Sequence, residues 1–205
     1  MPPINPNVEP MNGADLLDLE SALQTVTGFN RVKPALSFQR EFFGLMGTAI
    51  LVRQPNGSFF PMAITNVPNY DDSQEETQEQ DEENDSFEEQ EDDENETDFG
   101  EDTGDEFHAL AQSIVNNLAP CFQHEKQTRF FADFNALTEF VSMELAARFQ
   151  GYKLMIIPII KKNDKKVKAL IVSFTNDDSE YLNEDDSDGM TRMWSIFARS
   201  MKLID

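Results

Sequence analysis

The sequence predicts an α+β fold: an antiparallel sheet with helices on both faces, interrupted by a disordered acidic insertion. Three observations carry this. Two pairs of apolar, strand-length runs are joined by turn sequences, 47–54 with 58–65 and 153–160 with 167–174. Amphipathic runs at helical spacing stand beside and between them. Residues 71–106 hold 21 acidic side chains and no Lys or Arg. Such a tract cannot bury enough apolar area to offset the entropy of ordering it, and its charges repel.

The first helix is expected over 14–27, where Leu16, Leu19, Leu23 and Val26 share a face, with Asn12 as cap and Gly28 as stop. Pro34 opens a second, carrying Leu36, Phe38, Phe42 and Phe43 towards Gly44. GTAILVRQ (47–54), PNG (55–57) and SFFPMAIT (58–65) read as a hairpin, with Pro61 placing the second strand at an edge or a bulge. Beyond the acidic tract, 106–119 reads as a helix, 128–134 as a strand and 136–149 as a helix with Leu137, Phe140, Val141, Leu145 and Phe149 in phase. KLMIIPII (153–160) and VKALIVSF (167–174) are apolar on both faces, so both sides of the sheet should be covered. Met190, Met193, Trp194, Phe197 and Met201 share one side of a closing helix, about 190–203. Neither flank has strands enough to stand alone, so the two should build one sheet. The expected organisation is a flexible N-terminus, 1–12, and a single domain over 13–205 with the disordered insertion at 70–106 inside it.

Charge and composition narrow the function classes. The chain has 205 residues and a formal charge of -23. A second acidic run at 177–189 holds seven carboxylates, so the rest balances 39 − 21 − 7 = 11 acids against 16 bases and is mildly basic. One cysteine excludes an intrachain disulfide. No apolar run approaches the roughly 18 residues of a membrane span, and MPPINPNVEP has no signal-peptide pattern, so a cytoplasmic setting is expected. The acidic tract is a solubilising loop or a regulatory arm for a basic partner, with Phe87 and Phe99 as its anchors in the second case.

The run RFQGYKLMIIPIIKKNDKKVKALIVSF, followed by an EDDSD loop and an amphipathic helix, resembles the second half of a GAF domain. The matching residues are Ile157, Pro158 and Ile159, then Ala169, Leu170, Ile171 and Val172, then Asp185 to Asp188. The stretch from FFGLMG through GTAILVRQPNGSFFPMAIT is similar to that family's opening helix and first hairpin. The resemblance covers about 34–66 and 107–203. It implies a GAF-like sensory or interaction module, dimerising through terminal helices that carry Leu16, Leu19, Leu23, Met193, Trp194, Phe197 and Met201. It also implies a small-molecule pocket between sheet and helices, lined by Phe107, Leu110, Ile114, Phe130, Phe131, Phe134, Phe140, Met143 and Leu145, although the same apolar residues would equally serve as core. In bilin-binding members a Cys-His pair precedes the Phe-Gln; here those positions are Val141 and Ser142, so covalent bilin is not expected and any cofactor is open. The cyclic-nucleotide motif of the family is not visible.

Catalytic and metal motifs are weak. Cys121 and His124 are spaced C-x-x-H and His108 is the other histidine, short of the four ligands, or three with water, that zinc takes. Aligning Gly189 with the turn glycine of a calcium loop puts Ser195 where the bidentate carboxylate belongs. No metal site and no enzymatic activity is therefore expected. Lys161, Lys162, Lys165, Lys166 and Lys168 form a basic cluster that either blunts a hairpin edge or meets phosphate. The expected function is a non-catalytic module acting through a partner protein, a basic one where the acidic tract makes the contact. The alternatives are a single-strand nucleic-acid-associated protein with an autoinhibitory acidic arm, or an acidic chaperone for a basic client. A nucleic-acid or membrane partner is not the expected one. Deleting 71–106 should leave folding intact and weaken partner binding.

Overall fold

The computed structural model describes residues 11–66, 102–161 and 166–204, with the side chains of 102–105 left aside. Residues 1–10, 67–101, 162–165 and 205 lie outside the described residues, and so do the expectations that fall on them; the last residues of the acidic tract, from Asp102, belong to a helix.

Two helices in contact with each other open the chain. α1 (Gly13–Thr25) begins with a reciprocal cap: Asn12 Oδ1 accepts from the N–H groups of Ala14 and Asp15, and an Asp15 carboxylate oxygen accepts from the Asn12 N–H. A 3₁₀ turn at Gly28–Arg31 leads into α2 (Val32–Phe43). Arg31 fastens this corner, donating to the Leu23 carbonyl at 2.9 Å and to the Ser200 carbonyl at 2.7 Å. Gly44 ends α2 at φ 89°, with the Tyr181 ring packed where a side chain would stand.

β1 (Gly47–Arg53) and β2 (Phe59–Thr65) form the first expected hairpin. The register jumps from Ile50 opposite Ala63 to Leu51 opposite Pro61, so the proline sits at a bulge and on an edge strand. β4 (Tyr152–Ile160) and β5 (Val167–Asn176) form the second hairpin. β5 pairs with β1, so the two flanks of the acidic tract do share one sheet, in the order β2-β1-β5-β4-β3, the last being Arg129–Phe131, with every neighbour antiparallel.

The segment between the hairpins departs most from expectation. The helix expected over 106–119 is α3 (Asp102–Ser113), continued by a π-helical turn at Ile114–Leu118 and a final α-turn, α4 (Ala119–Cys121). The Ala119 N–H bonds to the Ile114 carbonyl, five residues back, immediately before Pro120. A proline has no N–H for the ladder and its ring crowds the carbonyl four residues back, so a widened turn at this point relieves the conflict. The strand expected over 128–134 is only β3 (Arg129–Phe131), because extended Asp133 turns to cap the Ala136 N–H. The helix expected over 136–149 is broken into α5 (Phe134–Leu137) and α6 (Met143–Ala147). Ser142, with ψ 149°, interrupts the winding and caps α6 through its hydroxyl to the Leu145 N–H. The closing helix, α7 (Ser187–Ser200), starts and ends three residues earlier than expected, with Lys202 in left-handed backbone at φ 58°.

Both faces of the sheet are covered, as continuous apolar strands require. One core joins Ile50, Ile157 and Ile171 to α1, α2 and α7 through Leu23, Phe38, Met193, Trp194 and Phe197. The other joins Leu51, Ile156 and Val172 to the α3–α4 run through Ile114, Leu118 and Phe122, and to the broken segment through Leu137 and Phe149. One polar contact is sealed inside: Gln39 Nε2 donates to Thr48 Oγ1 at 2.8 Å, and the Ser173 hydroxyl reaches Gln39 Oε1 at 3.5 Å, all three residues buried.

Candidate functional site

The nine residues expected to line a pocket are divided between the two cores and the surface. Leu110, Ile114 and Phe131 are buried in the second core, with Phe107, Phe134 and Leu145 packed against it. Phe130 packs against the opposite core, since adjacent strand residues point to opposite faces. Met143 is 72% exposed and stands outside both cores. Phe140 is 41% exposed and closes an aromatic group, its ring 5.3 Å from that of Phe131 and 6.0 Å from that of Phe122, with the Arg129 guanidinium over its face at 5.3 Å. These phenylalanines fill the space between sheet and helices themselves.

The helices assigned to dimerisation are likewise spent within one chain. Leu19, Leu23, Met193, Trp194 and Phe197 are buried in the first core, with Leu16 and Met201 packed against it. Within one chain α1 and α7 pack against each other, and α7 packs against β4. Phe87 and Phe99 lie outside the described residues.

Two concavities stand elsewhere. The first, of about 730 Å³, opens where the β1–β2 turn and the start of β5 meet the loop after α4. Arg53, Gln54, Pro55 and Gly57 line it from the β1–β2 turn, Gln123, His124 and Lys126 from the loop, and Lys166, Val167 and Lys168 from the start of β5. The pairing of Val52 with Ala169 brings the first and third groups together. Among the described residues, no carboxylate lines it. Glu125, the acid nearest in sequence, is held by Arg129, whose Nε lies 3.1 Å from its Oε2, and accepts from the N–H groups of Lys126 and Gln127. Partial burial opposes ionisation of Glu125, but these hydrogen bonds and the guanidinium outweigh it and hold the carboxyl below its ordinary value.

The second concavity, of about 520 Å³, is a groove between α1 and α2. Leu19, Ala22, Val26, Pro34, Phe38 and Phe42 give it an apolar floor, and the Phe38 and Phe42 rings lie 4.4 Å apart. Asp15, Asp18 and Glu41 stand on its rim against the single cation Lys33.

The acidic run after β5 folds around a buried amine. Lys153 donates through Nζ to the Ser179 carbonyl. Burial lowers its pKa, and the nearby Asp177, Asp178 and Asp186 partly restore it. Asp186, itself pushed up chiefly by burial, accepts from the Asn183 N–H at a 3₁₀ turn over Glu184–Asp186. Cys121 is exposed and hydrogen-bonds through Sγ to the Asn117 carbonyl. Among the described residues, no group of three or more His, Cys, Asp or Glu side chains is placed to hold a metal ion.

Of the sites now visible, sequence reasoning had found only the lysines. Arg53 and Lys126 stand far from them along the chain, and no local pattern signals that β1 will pair with β5. The groove was missed because its floor belongs to two helices whose apolar residues each read as core.

No family model matches the chain, and no curated protein does. Solved structures do. The GAF domain/HD domain protein from Geobacter sulfurreducens superposes with a TM-score of 0.52 at 9% identity, over 94% of this chain and 97% of that one. A fragment of a methyl-accepting chemotaxis protein superposes with a TM-score of 0.51 at 14% identity, over 93% of this chain and 97% of that one. With the five-stranded antiparallel sheet and its two helical layers, these similarities show a GAF-like fold. Among the described residues, no helix is long and apolar enough to cross a membrane.

Proposed function

We propose that this chain is a non-catalytic sensory and interaction module that acts through a partner protein, and that the partner's contact is a basic amphipathic segment seated in the α1–α2 groove. The groove carries the reading. Its floor is a strip of apolar side chains contributed by two neighbouring helices, the form that an amphipathic helix fills with one face. Its rim holds three carboxylates and one amine, which selects a basic polar face on the occupant. The fold lends support by analogy only, since one of the similar structures comes from a chemotaxis protein.

The test is a titration with a basic amphipathic helical peptide against charge-reversal variants of equal net charge. The double variant Asp18→Lys with Glu41→Lys should weaken binding about tenfold or more, as two favourable rim charges become repulsive. Glu139→Lys with Glu144→Lys alters exposed acids outside the groove and should leave binding nearly unchanged. Equal weakening by both pairs would mean attraction to the overall charge, and would refute the groove.

A further inference from the structure

We propose that the α1–α2 groove seats its helical partner in one direction, with the partner's N-terminus beside Asp15, Asp18 and Glu41 and its C-terminus beside Lys33. The partner that fits carries Lys or Arg on the N-terminal half of its polar face and no net positive charge on the C-terminal half. The direction rests on the groove being the partner's contact, as proposed above.

Contacts at the two ends of the groove fix how its walls are matched. At one end Arg31, the residue before α2, donates to the Leu23 carbonyl near the close of α1. At the other, the side chains of Met11, just before α1, and Phe43, the last residue of α2, meet at Gly189. A Cβ on that glycine would lie 3.3 Å from Met11 Cε and 3.0 Å from Phe43 Cζ. The start of α1 therefore stands beside the end of α2, and the end of α1 beside the start of α2. Asp15 and Asp18 share one half of the groove with Glu41 and Phe42, whereas Thr25 and Val26 share the other with Lys33 and Pro34. The three carboxylates of the rim are gathered in one half and its amine stands in the other.

Length and charge then choose the direction. From Asp15 to Val26 the groove runs about 16 Å at the helical rise, which is three turns of a bound helix. Such a helix carries a partial positive charge at its N-terminus and a partial negative charge at its C-terminus. Carboxylates stabilise the first and an amine the second, and lysines near the first add to the same preference. In the opposite direction each end of the helix meets a charge of its own sign. One carboxylate oxygen of Asp15 already accepts from the Asn12 N–H, so Asp18 and Glu41 supply most of the discrimination.

Two amphipathic helical peptides of identical composition, blocked at both termini, test the direction. One carries its lysines in the N-terminal half, and the other has that sequence reversed. Each bears a nitroxide label at its N-terminus and is titrated into the full chain while amide NMR signals are followed. The first should bind about fivefold more tightly than the second, the scale of favourable charge at both ends of a helix. Its label should broaden Asp15 and Phe42 rather than Val26 and Lys33. Lys33→Glu, which makes both halves acidic, should bring the two affinities to within about twofold and spread the broadening over both ends. Equal affinities for the unaltered chain, tighter binding by the reversed peptide, or the first peptide's label at the Lys33 end would overturn the direction and leave the groove as the contact. Binding by neither peptide, or broadening confined to residues outside the groove, would overturn the groove itself and the direction with it.

Discussion

The two faces of the sheet are built by different means. One is covered by α1, α2 and α7, helices of 12 to 14 residues whose apolar stripes meet Ile50, Ile157 and Ile171. The other is covered by α3, a π turn and three short helical pieces. Both bury comparable sets of large side chains. On the first face, backbone regularity carries the side chains into place. On the second, caps and a widened turn do so, through Asp133, Ser142 and the winding before Pro120. Continuous helices leave little freedom to collapse around a void, whereas short capped pieces can shift.

That contrast is open to breakage, most forcefully by truncation in the two cores. Trp194→Ala and Phe197→Ala, both fully buried under α7, should each cost about 3–5 kcal/mol in denaturant unfolding. Phe149→Ala, fully buried on the other face, should fall nearer 2–3 kcal/mol by the same scale, because its short surroundings can close on the gap. Equal losses would mean that the second face is as rigid as the first. Hydrogen exchange sharpens this, with amides of 134–147 expected to open at lower free energy than those of α7.

A smaller effect is expected from the polar contact sealed under α2. Gln39→Ala leaves Thr48 and Ser173 buried without their partner and should cost about 1–3 kcal/mol. Gln39→Leu should be milder if the loss is one of hydrogen bonding, since it restores volume.

The smallest lies at Glu125, on the second face. Its folded carboxyl is held below the ordinary value of 4.5, so the unfolded chain takes up the proton first as pH falls. The stability it contributes is therefore complete above pH 4.5 and is lost as pH falls through the lower folded value. Glu125→Gln should lower stability at neutral pH by at most about 1 kcal/mol and flatten the unfolding free energy over that acidic window. An unchanged pH profile would show that the Arg129 pair holds no more tightly than solvent does.

How much was legible follows the same division. The two hairpins, the bulge at Pro61 and the three long helices were readable because each repeats an apolar pattern with a period of two or 3.6. The break within 136–149 was not, because Leu137, Phe140, Val141, Leu145 and Phe149 keep helical phase across it, and only Ser142's extended backbone interrupts the winding. The pocket residues were read as a group, yet Phe130 and Phe131 are neighbours on a strand and part to opposite cores.

By itself, then, the sequence determined the class of fold, the strands and their pairing within each hairpin, and the regular helices, since all depend on contacts a few residues apart. Tertiary structure alone decided that β1 lies beside β5, that Leu23 and Trp194 face inward rather than towards a second copy, and that Arg53 and Lys126 join Lys166 and Lys168 around one cavity. Those arrangements rest on juxtapositions of residues 40 or more positions apart, and a local pattern of apolar and charged side chains holds no record of which distant segment will satisfy it.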